Sequence, residues 1–111
     1  MTLAADPIAH LVSIISTGDL SEAREWAAQH EASLGALRYD RAARAAVAHA
    51  CNRWGAPMVW PWGDTPRPVA AEQRVLSAIR AGRAWRASED TVAVIIACGW
   101  ASHADGVWRA A

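Results

Sequence analysis

At 111 residues the chain has the length of one domain, enough to bury a single hydrophobic core and too little to divide into two. With 53% apolar and 20% charged residues an intrinsically disordered chain is excluded, and a formal net charge of zero weighs against the basic domain that strong nucleic-acid affinity requires. Alanine dominates, phenylalanine is absent and seven of the eight aromatic residues are tryptophan, a composition that favours close-packed helices over sheet.

From the start of the chain, Asp6 before Pro7 marks a helix opening, with the acid as cap and proline at the first helical position. Ile8, Leu11, Val12 and Ile15 then fall on one face, and Gly18 closes the helix. Asp19 with Glu22 three residues on reads as a capping-box variant opening a second helix, with Leu20, Ala23, Trp26, Ala27 and His30 as its inner stripe and an end between His30 and Gly35. A third helix begins near Ser33 or Asp40 and runs to Trp54, where Gly55 and Pro57 stop it; Tyr39, Ala43, Ala46, Val47, Ala50 and Trp54 recur along it at helical spacing.

Gly55 to Pro68 holds Pro57, Pro61, Pro66 and Pro68, four of the five prolines of the chain, beside Gly55 and Gly63, and is expected to be an irregular loop. Its stretch Met58-Val59-Trp60-Pro61-Trp62 is apolar where a connection is normally polar. A fourth helix is expected from Pro68 to Ala81, with Val69, Val75, Leu76 and Ile79 inward and Gly82 near its stop. Ser88 then caps a fifth, with Glu89 and Asp90 in its first turn. Val92 to Cys98 is apolar all round and reads as a central buried helix that Trp100 and His103 continue, although β-branched Val92, Val94, Ile95 and Ile96 leave a strand open.

Charge is unevenly spread. Met1 to Leu37 carries five acids against Arg24, whereas Arg38 to Arg86 carries nine arginines against Asp40, Asp64 and Glu72. All basic side chains are arginine, which binds carboxylate and phosphate bidentately as lysine does not. Arg38, Arg41 and Arg44 recur every three residues, as do Arg80, Arg83 and Arg86; on helices each set would form a basic ridge, either solvated and paired, as Asp40 with Arg44, or offered to an acidic protein or a phosphate backbone. A helix-turn-helix fits poorly, because prolines follow Trp54 where a recognition helix would begin.

Conventional catalytic and metal signals are weak. His49 and Cys51 are two apart and Cys98 and His103 five apart, spacings that separate them on a helix, and no CxxC, HxxxH or HExxH pattern occurs, so no metal and no cofactor are expected. Cys51 and Cys98 sit in apolar surroundings and read as structural thiols, with a small thiol enzyme as a minor alternative. No catalytic residue is assigned. Met1 to Pro7 has no basic region typical of a secretory signal, and Val92 to Cys98 is too short to span a bilayer, so a cytoplasmic protein without membrane contact is expected.

The resulting expectation is a single all-α domain over 1–111, a compact bundle of about five helices with an irregular Trp/Pro-rich loop between the third and fourth. Its expected function is that of a non-catalytic protein–protein interaction module, such as an adaptor, an inhibitor or an immunity-type protein of a bacterial or phage conflict system. The loop with Met58, Trp60 and Trp62 either lids the small core or, flanked by Arg53 and Arg67, supplies the expected partner-binding residues, because Trp, Met and Arg are enriched at interfaces and a proline-stiffened loop loses little entropy on binding. The rival reading is a nucleic-acid-associated protein that uses the arginine ridges.

Overall fold

The computed structural model describes residues 6–35, 37, 39–55 and 67–111. Among them are six helices, α1 (Pro7–Ser16), α2 (Leu20–Gln29), α3 (Glu31–Gly35), α4 (Arg41–Arg53), α5 (Ala70–Ala81) and α6 (Glu89–Ala97), followed by two short strands, β1 (Ala101–Ala104) and β2 (Val107–Ala110). The fold is mostly helical with a small antiparallel hairpin.

Local chemistry explains most helix starts. The Asp6 carboxylate accepts from the Ile8 and Ala9 amides at 3.0 and 3.2 Å, Asp19 from Glu22 at 2.9 Å, Asp40 from Ala43 at 2.9 Å and Ser88 from Thr91 at 3.2 Å, each satisfying a donor that the helix leaves without an intrahelical partner. Helix α5 begins differently. Val69 has no capping oxygen, and the carboxylate of Glu72 instead reaches back to accept the Val69 amide at 2.9 Å.

Val92 to Ala97 is helix, which settles the helix-or-strand alternative for this apolar run. The expected continuation through Trp100 and His103 is corrected: α6 ends at Ala97, Gly99 turns the chain at φ +71°, and Ala101 to Ala110 form the hairpin, with His103 opposite Trp108 and Ser102 opposite Arg109. Asp105 and Gly106 both have positive φ, 54° and 75°, as a two-residue turn matched to strand twist requires. An all-α description therefore omits the last ten residues or so. The region from Ser33 to Trp54 also divides, since α3 ends at Gly35 and α4 begins at Arg41.

The core has two parts. In the larger, Leu11, Ile14 and Ile15 of α1 meet Val47, Ala48 and Cys51 of α4 and Ala93 and Ala97 of α6, with Ala23, Ala27 and Leu34 closing it from α2 and α3. Alanines set the spacing where α4 lies against α6, so backbones approach closely and the Asn52 side-chain amide donates to the Ala93 carbonyl at 3.0 Å. In the smaller, Val75, Leu76, Ile95 and Ala101 are packed by Trp85, Trp100 and Trp108, and the Trp85 ring meets Trp108 edge-on at 5.3 Å. Among the described residues, tryptophan thus borders the core rather than filling it. His30, expected on an inner stripe, and Tyr39 and Trp54, expected at helical spacing along the third helix, are exposed, with Tyr39 before the start of α4; Trp54 lies over Gly18, whose φ of +83° ends α1 and where a β-carbon would come within 3.2 Å of the ring.

Candidate functional site

A cleft of about 470 Å³ opens where α4, α5 and α6 all begin. Its walls come from three stretches of sequence, Tyr39 to Arg44, Val69 to Val75 and Trp85 to Val94. The first turn of each of these helices contributes residues to its lining, and the partial positive charge of a helix amino terminus favours anions nearby.

At the base lies a buried ion pair. Arg44 is 2% exposed, and its Nη2 donates to Glu72 Oε1 at 2.6 Å and to the Arg67 carbonyl at 3.4 Å, while the guanidinium lies 5.8 Å from the Tyr39 ring centre and 6.0 Å from that of Trp100. The same Glu72 oxygen holds the Val69 amide. One carboxylate thereby fixes α4, the start of α5 and the strand of chain entering it, and it does so in a low-dielectric setting where both charges depend on each other.

The rim is basic. Arg41, Arg74 and Arg86 line the cleft from α4, α5 and the segment before α6, and among the described residues no carboxylate pairs with any of them. Arg41 Nη2 stands 3.5 Å from the Ser88 hydroxyl, which also meets the Thr91 hydroxyl at 3.0 Å. The two acids of the lining are already engaged, Glu72 with Arg44 and Asp90 with His49 at 3.0 Å. Four guanidinium groups against two carboxylates leave the cleft with two positive charges in excess.

The arginines singled out by spacing are thus separated by the fold. Arg41 and Arg86 share the cleft, Arg44 is beneath it rather than on a solvated ridge, and Arg80 and Arg83 are exposed elsewhere. Arg44 pairs with Glu72, whereas Asp40, its expected partner, caps α4. Arg83 and Arg86 lie in the non-helical segment between α5 and α6, so the second set of three does not form a helical ridge. Arg53 ends α4 and Arg67 precedes α5, both exposed. Met58, Trp60, Trp62 and Arg38 lie outside the described residues. Arg74, Tyr39 and Trp85 were not singled out as site residues; nothing in their local spacing distinguishes them, and they acquire a common role only when the three stretches meet.

Acid–base and nucleophilic chemistry finds little to work with among the described residues. His49 bonds to Asp90, but no hydrogen bond joins it to the hydroxyl of Ser88 or Thr91. No group of three or more His, Cys, Asp or Glu side chains converges there as metal ligands, and no helix there is long and apolar enough to cross a membrane. On α1 and α2 the Trp26 ring lies between His10 and His30, at 4.6 and 4.1 Å between ring centres, a surface stack in which His30 Nδ1 also meets the Trp26 carbonyl at 2.8 Å.

Cys51 is fully buried, and burial pushes the half-buried Cys98 thiol up to about 12, with Arg44 opposing and Glu72 and Cys51 reinforcing the rise. A thiol so held carries almost no thiolate at neutral pH. Iodoacetamide at pH 7 is expected to alkylate Cys98 in the folded chain at least about tenfold more slowly than in urea, read by mass spectrometry of the digested protein. Because the unfolded thiol ionises near 9 and the folded one near 12, the proton is held more tightly by the native state, and this contribution to stability declines as pH rises from about 9 to about 12.

Comparison with known proteins returned no significant match: no protein-family model, curated protein or solved structure aligns with this chain.

Proposed function

We propose that the chain is a non-catalytic protein–protein interaction module that takes an acidic segment of its partner into the arginine-rimmed cleft. In this reading the helices form one compact bundle, finished by the hairpin, and the whole of 1–111 is a single domain acting in the cytoplasm as an adaptor, inhibitor or immunity-type protein. The observation that carries it is the excess of positive charge at one concave place: Arg41, Arg74 and Arg86 have no carboxylate partner among the described residues, although the chain as a whole is neutral.

A site built this way suits carboxylates. Guanidinium groups bind them bidentately, the helix ends add to the field, and rim charges accelerate encounter with an acidic partner. Nucleic acid is the weaker reading, since tracking a phosphate backbone calls for an extended basic stripe and here Arg80 and Arg83 do not join Arg41 and Arg86 in the lining of the cleft.

Titration of the full chain with a blocked Glu-Glu-Ala-Glu-Glu peptide, followed by calorimetry or NMR, tests this. Binding is expected to weaken with salt, to fall about tenfold on Arg41→Gln or Arg86→Gln, and to be unchanged by Arg80→Gln, which lies off the cleft. Equal affinity in the Arg41→Gln/Arg86→Gln double variant would overturn the proposal. Tighter binding of oligo-dT that depends on Arg83 would instead favour the nucleic-acid reading.

A further inference from the structure

The basic rim explains only part of the cleft. Tyr39, 53% exposed, and the partly buried Trp85 both line it, together with Val69 and Val75 of the α5 start. Its volume of about 470 Å³ is many times the share of one water, about 30 Å³ in the liquid, so a carboxylate held at the rim would leave most of the space to water. The acids that could draw a cation inside are occupied, Glu72 by Arg44 and Asp90 by His49. What the lining offers an occupant is therefore the guanidinium groups of Arg41, Arg74 and Arg86 together with an aromatic and aliphatic surface from Tyr39, Trp85, Val69 and Val75.

Resting on the function proposed above, we infer that the acidic segment recognised by this cleft carries an aromatic side chain beside its carboxylates, seated against Tyr39 and Trp85 while Arg41, Arg74 and Arg86 hold the flanking acids. The arrangement follows general rules of recognition. Aromatic rings bring large apolar area for few rotatable bonds, they accept edge-on or offset neighbours such as Tyr39 and Trp85, and an arginine plane such as Arg86 can lie over one face. The Trp85 ring is itself held in place, edge-on to Trp108 at 5.3 Å, with Trp108 in turn stacked on His103 at 4.7 Å, so the wall is formed before the ligand arrives. Carboxylates supply orientation and the ring supplies apolar contact area. A segment with acids alone fills the rim, and one with a ring alone leaves the guanidinium groups uncompensated.

Three blocked peptides separate these contributions when titrated into the full chain: Glu-Glu-Tyr-Glu-Glu, Glu-Glu-Ala-Glu-Glu and Gln-Gln-Tyr-Gln-Gln. The first is expected to bind at least about tenfold more tightly than either of the others. Tyr39→Ala is expected to erase most of the advantage of the tyrosyl over the alanyl peptide while leaving alanyl-peptide binding within about twofold, and Trp85→Leu should do the same provided its far-UV spectrum and melting transition are retained. Equal affinity for the tyrosyl and alanyl peptides, with both lost on Arg86→Gln, overturns this inference and leaves the acidic-segment reading standing. Absence of arginine-dependent binding by either acidic peptide overturns both.

Discussion

Replacing Glu72 by glutamine is expected to destabilise the fold by about 3–5 kcal/mol, a large fraction of the roughly 5–15 kcal/mol available to a domain of this kind. Arg44 and Glu72 expose only 2% and 5% of their side chains, and the carboxylate receives both the guanidinium and the Val69 amide. Glutamine keeps the shape and one acceptor but leaves a buried cation without its counter-charge. Urea denaturation followed by circular dichroism should show the midpoint falling with an unchanged slope. The double variant Arg44→Met/Glu72→Leu should recover most of the loss, because removing both charges also removes their desolvation penalty. A Glu72→Gln variant within about 1 kcal/mol of the parent would mean that solvent reaches the pair.

A second large effect is expected from two neighbouring isoleucines. Ile95→Ala should cost about 2–5 kcal/mol, whereas Ile96→Ala, one residue on, should cost about 1 kcal/mol or less. Ile95 is 1% exposed among Val75, Leu76 and Ala101, so truncation opens a cavity that the surrounding rings and helices can only partly close; Ile96 is 41% exposed and leaves none. The same denaturation experiment reads both. Similar losses at the two positions would contradict the orientation of α6 described above.

The helix starts were legible because capping is a local affair. Asp6, Asp19 and Ser88 each announce an amino terminus within three residues, and these caps appear in the structure as read. The hairpin was equally written in the chain, as Asp105-Gly106 between Ala104 and Val107, but strands of four residues give little alternation, and the apolar run before them drew the helix too far. Other features had no local signature. Arg41 and Arg44 differ by three positions on one helix, yet one rims the cleft and the other supports it from below, a distinction made by Glu72, which stands 28 residues further along. Nothing near Arg74 or Tyr39 marks them as neighbours of Arg86. Likewise, the alanines of α4 and α6 could be assigned to helices from propensity, but which methyl groups would face each other is a matter of packing.

The three stretches that wall the cleft, around residues 39–44, 69–75 and 85–94, are far apart in the unfolded chain and meet only in the finished tertiary structure. Occupancy and folding are for that reason one coupled equilibrium. A molecule that enters the cleft recognises the native state and not the unfolded one, and at a hundred times its dissociation constant it deepens the native well by about 2.7 kcal/mol, close to the lower bound of the loss expected for Glu72→Gln. An occupant could accordingly restore to a weakened variant most of what the mutation removes, which makes the protein's persistence in solution a function of its ligand as well as of its sequence.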